Sequence, residues 1–232
     1  MPVTAGPIYP GIKDGLVFAI DPANKDSWAG PTSATVDSLT LYNPLSGSIV
    51  NDTSGSYGDD ESFAFDGASD YIVVDNLNNI FNFGTNPFSI SLWFNGTTFP
   101  GTYTAVLGSH GSGGKSSFWA VYVHDSIGVL IVHGGQLIGG GGSISTNEWY
   151  HYAVTRDTSG NLITYLNGVA VNTATGKTGT FNSLSTIRIG DDRHNANPAF
   201  NGQIGPILIY NRALSAGEVL QNYNRVKGRF GL

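Results

Sequence analysis

Along residues 88–96, FSISLWFNG, the large apolar side chains Phe88, Ile90, Leu92 and Phe94 take every second position. A period of two belongs to a half-buried strand, since a helix repeats its apolar positions every three to four residues. Similar alternations, or short apolar runs bounded by turn residues, recur at 15–20, 62–67, 70–74, 102–110, 116–125, 128–134, 148–157, 161–173, 186–191 and 202–211. Briefer strands are expected near 39–42 and 48–50. About a dozen short strands, evenly spread and separated by Gly, Pro, Asn and Asp, predict an antiparallel two-sheet sandwich or jelly roll. Asn167-Gly168 stands between two such runs and predicts a type I′ hairpin turn, which needs positive φ at both central residues. The glycine-rich stretch 133–143 is expected to be a mobile or close-packed turn.

The period changes only near the end. Ser215 and Glu218 have the spacing of a capping box, and Val219, Leu220, Tyr223 and Val226 recur at helical spacing. One short C-terminal helix lying on the sandwich is predicted, stopping at Gly228. Residues 1–14, rich in Pro and Gly, read as an extended arm, 15–224 as one all-β domain, and 225–232 as a short basic tail.

Composition sharpens this picture. The chain has 32 glycines and 12% aromatic residues but only 12% charged ones, about half the usual share. Its net charge of −6 argues against a nucleic-acid surface. With no cysteine, disulfides and thiolate metal sites are excluded. The N-terminus lacks the basic start and apolar run of a signal peptide, and no segment approaches membrane-spanning length. Synthesis in a cytoplasm and a soluble product are the expectation.

Catalytic chemistry is sparse. A glycosidase needs paired carboxylates flanking one bond, but the glutamates are Glu61, Glu148 and Glu218, with Glu218 accounted for by the helix cap. The histidines form no zinc-binding pattern. Residues 108–117, GSHGSGGKSS, match only the end of a phosphate-binding loop, because Ser109 stands where the first glycine belongs. No cofactor is expected. Calcium could use acidic loops, with Asp66, Asp70 and Asp191 the best ligands, yet aspartates in turns more often bond their own backbone. For stacking against sugar rings the freer aromatic residues are Trp28 and Trp119, with Tyr103 and His110 as companions; Trp93 and Trp149 read as core.

Seven stretches, LVFAIDPANKDSW (16–28), FAFDGASDYIVV (63–74), FSISLWF (88–94), EWYHYAVTRD (148–157), ITYLNGVAV (163–171), IRIGDD (187–192) and FNGQIGPILIYNRALSAGEVLQNYN (200–224), follow one another in the order of the laminin-G-like, concanavalin A-like jelly roll. The chain resembles that family over nearly its whole length. The resemblance implies two antiparallel sheets, a concave face and a last strand leading into a short helix. Gly205-Pro206 stands where many members carry an acidic pair, which weakens the case for a family-type calcium site. The opening and closing stretches look like those of laminin-G-like structural proteins of tailed bacteriophages. That likeness implies a non-enzymatic virion protein, a capsid decoration or tail-associated component that joins the virion after synthesis in the host cytoplasm. Its partners would be capsid or tail subunits, or further copies of itself. Docking is expected through Ile8, Tyr9 and Ile12 of the arm and Arg225, Lys227 and Arg229 of the tail. The alternative function is a lectin-like module for glycans.

Overall fold

The computed structural model describes residues 11–23, 36–40, 46–50, 62–75, 79–109, 118–133, 136–183, 186–192 and 198–232. The arm residues Ile8 and Tyr9, and also Trp28, Glu61 and His110, lie outside them. In chain order the strands are β1 (Leu16–Ile20), β2 (Val36–Thr40), β3 (Ser46–Val50), β4 (Phe63–Asp66), β5 (Tyr71–Asp75), β6 (Phe88–Gly96), β7 (Thr104–Gly108) and β8 (Trp119–His124). There follow β9 (Gly128–His133), β10 (Gln136–Gly141), β11 (Trp149–Arg156), β12 (Leu162–Leu166), β13 (Val169–Ala174), β14 (Thr186–Ile189) and β15 (Asn201–Tyr210). A helix, α1 (Ala216–Val226), and a 3₁₀ turn, Lys227–Phe230, end the chain.

The strands form two antiparallel sheets. A seven-stranded sheet runs β1-β15-β6-β11-β12-β13 with β4 also paired to β15, and an eight-stranded sheet runs β10-β9-β8-β7-β14-β5-β3-β2. Alternation sets what lies between them. Phe88, Ile90, Leu92 and Phe94 of β6 point inward with Tyr152 and Val154 of β11, against Trp119, Val121 and Val123 of β8 and Ile187 and Ile189 of β14. Asn167 (φ 50°) and Gly168 (φ 79°) make the hairpin turn between β12 and β13.

The outer face of the seven-stranded sheet is covered by Ile12 and the C-terminal residues. Ile12 packs there with Leu16, Tyr165, Tyr210, Leu214 and Val219. Helix α1 begins as the sequence predicts: Ser215 Oγ accepts the Glu218 N–H, and Glu218 Oε2 accepts the Ser215 N–H at 2.8 Å. Arg212 grips Glu218 with two bonds of 2.6 and 3.0 Å. That contact holds the Glu218 carboxyl down at about 2.

The end of the chain departs from expectation. Gly228 does not stop the helix; the chain tightens into the 3₁₀ turn, which Gly231 caps in the left-handed region at φ 74°. Phe230 stacks on Trp149 at 3.9 Å between ring centroids and lies 4.9 Å from Trp93. Residues 227–230 are therefore a strap bound to the sheet. Gly205 makes room for it, since a Cβ there would meet the Phe230 ring at 2.9 Å. Beneath α1, the buried His151 shares a 2.8 Å hydrogen bond between Nε2 and Ser91 Oγ. Burial depresses its pKa to about 3.

Residues 133–143 also differ from the turn expected there. Gln136–Gly141 form β10, paired with β9. The glycines permit close approach: an added Cβ at Gly140 would come 2.8 Å from Leu130 Cβ.

Candidate functional site

The outer face of the eight-stranded sheet is built by the residues that alternate with its core positions. On β8 these are Ala120, Tyr122 and His124, preceded by Phe118; Ala105 of β7 and Leu130 and Val132 of β9 lie beside them. Register places Arg188 of β14 opposite Gly108 of β7, and Gly108 opposite Ala120. Small residues at 108 and 120 leave a seat for Asp192, whose Cβ lies 2.8 Å from where a Gly108 Cβ would stand. From this seat the buried Asp192 accepts a hydrogen bond from the Tyr122 hydroxyl.

At the rim of this face stands Tyr103, 40% exposed, with its ring centroid 5.8 Å from Tyr122 and 5.3 Å from His124. His124 Nδ1 lies 2.8 Å from Asp125 Oδ1, and Asp125 is half exposed. The Ser126 hydroxyl is 3.2 Å from the same nitrogen. An exposed ring flanked by an imidazole, a carboxylate and a hydroxyl can stack on an apolar ligand face while polar groups read its edge. Further along the sheet, Arg188 lies over the Tyr71 ring at 3.8 Å and pairs with Asp191.

Of the two described aromatic residues nominated for sugar stacking, Tyr103 is placed to do it and Trp119 is not. Trp119 is a correction: it is fully buried in the core, and its indole N–H donates to the Phe81 carbonyl at 3.1 Å. The alternation on β8 was legible, but it did not show which set of side chains faces inward. Tyr122 and His124 were missed as partners of Tyr103 for the same reason.

The acidic loops serve themselves. Asp66 Oδ1 accepts the N–H groups of Ala68 at 2.7 Å and Ser69 at 2.9 Å, and the Ser69 bond leads in lowering its pKa. Asp70 Oδ2 accepts the Asp66 N–H at 3.0 Å, and Asp191 is held by Arg188. These carboxylates do not fit a shared calcium site, and among the described residues no three His, Cys, Asp or Glu side chains stand together as a metal would require.

The docking residues are also redistributed. Ile12 is buried in its own chain, and Arg229 is spent on Asp21, at 2.7 Å in a pair almost wholly shielded from water. Neither is free to bind a neighbour, a correction to the expected anchors. Lys227 lies 5.4 Å over the Tyr223 ring, and Arg225 is exposed.

The two antiparallel sheets and the closing helix form a jelly-roll sandwich. The model of the Laminin_G_3 family, described as the concanavalin A-like lectin/glucanases superfamily, matches residues 66–220, and the chain belongs to that family. Among solved structures, Trypanosoma rangeli sialidase is similar with a TM-score of 0.66 at 15% identity, over 96% of this chain and 35% of the sialidase. The chain thus spans about a third of that enzyme's length. Domain 4 of AbnA, a GH43 extracellular arabinanase from Geobacillus stearothermophilus, in complex with arabinotriose, is similar with a TM-score of 0.58 at 16% identity. That match covers 90% of this chain and 98% of that domain. No curated protein sequence matches.

Proposed function

We propose that this chain is a non-enzymatic carbohydrate-binding module whose ligand meets the Tyr103 rim of the eight-stranded sheet. The observation that carries this reading is the exposed Tyr103 ring, backed by Tyr122 and bordered by His124 and Asp125. Likeness over nearly the whole of a domain described in complex with arabinotriose supports it. Binding without cleavage is favoured by how the described glutamates are used: Glu148 Oε2 accepts the Tyr150 hydroxyl at 2.7 Å, and Glu218 caps α1. Function as a virion component has less behind it, because Ile12 and Arg229 are committed to the chain's own fold.

Glycan-array screening followed by calorimetric titration tests the proposal. The wild type should bind at least one oligosaccharide without hydrolysing it. Tyr103→Ala should weaken that binding about tenfold, the equivalent of ~1.4 kcal/mol, with Tyr103→Trp retaining it. Absence of glycan binding, or binding indifferent to Tyr103→Ala, would show that the rim is not the site.

A further inference from the structure

Four of the six exposed large apolar side chains among the described residues, Leu137, Val169, Val171 and Leu220, lie on elements along one side of the sandwich. β10 and β13 are the end strands of the two sheets, and they run beside each other. A Cβ added to Gly141 of β10 would come 3.6 Å from the Val171 carbonyl oxygen and 3.8 Å from its Cγ2. At the other end of β13, a Cβ at Gly168 would meet Leu220 of α1 at 2.9 Å. The apolar positions thus follow one side from β10 across β13 to the head of α1.

The strands and turns of this side carry no charge, and a cation, Lys227 over the Tyr223 ring beside Gly168, stands at its margin. Residues 136–147 and 158–176 contain no Asp, Glu, Lys, Arg or His. The exposed residues around Leu220 on α1 are Ala216, Gly217, Gln221 and Asn224. Exposed end strands are ordinarily guarded by charged side chains or proline, and neither β10 nor β13 has one.

We infer that this side is an interface between two copies of the chain, packed against each other about a two-fold axis. Each copy carries a net charge of −6, so most mutual approaches oppose like charges. A two-fold contact brings a patch against itself, and here neutral surface meets neutral surface. A strongly charged partner would find nothing to pair with on these strands. The pairing of β12 with β13 shifts register between Thr164 and Tyr165, opposite Val171. That bulge interrupts a regular ladder on the free edge, so aliphatic side chains, not a continued sheet, make the contact.

Sedimentation equilibrium of the whole chain, from micromolar to submillimolar concentration, tests this. The wild type should approach the mass of a dimer. Val169→Lys, Val171→Lys and Leu220→Lys should each raise the dimer Kd at least about tenfold while leaving the far-ultraviolet spectrum unchanged. Should a lysine variant fail to fold, Val171→Ser should weaken the dimer in the same direction. Tyr103→Ala should leave it intact. A wild type that sediments as a monomer throughout, or a dimer indifferent to these changes, overturns the inference.

Discussion

His151 shows how one buried side chain makes the whole molecule sensitive to pH. Its ring lies beneath α1, 5.2 Å from Trp93 and 5.8 Å from Tyr223, and burial holds its pKa at about 3 against an ordinary 6.5. Between those values the unfolded chain binds a proton that the folded chain refuses. Stability is therefore full above pH 6.5 and falls as pH drops towards 3, at up to about 1.4 kcal/mol per unit. His151→Gln should flatten the slope of unfolding free energy between pH 6.5 and 5, above the range in which the carboxylates respond. Denaturant titrations across that window check this, and an unchanged slope in the variant would refute it. Tyr122 makes a second case. Removing its hydroxyl in Tyr122→Phe takes one donor from the buried Asp192, which should cost about 1–3 kcal/mol and loosen the support behind Tyr103. Thermal unfolding and glycan titration of the same variant read the two effects separately.

At the scale of elements, the strap is the segment whose behaviour departs furthest from its composition. The sequence ending KGRFGL, with two basic residues and two glycines, reads as a solvated tail. The structure instead inserts Phe230 beside Trp93 and Trp149 and pairs Arg229 with Asp21. Phe230→Ala should destabilise the fold by about 3 kcal/mol, near the low end for a buried phenylalanine; denaturant unfolding measures it, and a loss below about 0.5 kcal/mol would mean the strap is not held. Local signals explain what was legible. The capping box at Ser215 and the Asn167-Gly168 turn depend on neighbours in sequence, and both form as expected. The inward set on β8, the strand at Gln136–Gly141 and the docked Phe230 depend on partners distant in the chain. Period alone specifies which residues share a face, and a shift by one residue exchanges core for surface. Trp119, expected outside, therefore lies in the core, and Tyr122 takes the outer place.

For the whole molecule, two antiparallel sheets and a C-terminal helix followed directly from the alternation and its change of period. The proposed binding face was legible only through Tyr103, because its other members gain their meaning from β7, β8 and β14 meeting. Stability should owe nothing to calcium, as Asp66 and Asp191 are engaged within the chain. Melting with and without a chelator checks this. An ion present at a hundred times its Kd would add about 2.7 kcal/mol, so a drop of several degrees on chelation would contradict the expectation. The placement of the two chain ends bears on orientation. Ile12 and Phe230 both lie on the outer face of the seven-stranded sheet, whereas Tyr103 belongs to the opposite sheet. A molecule tethered by its C-terminus to a bead, a sensor chip or a companion domain is thus held from behind, with the Tyr103 rim turned away from the support.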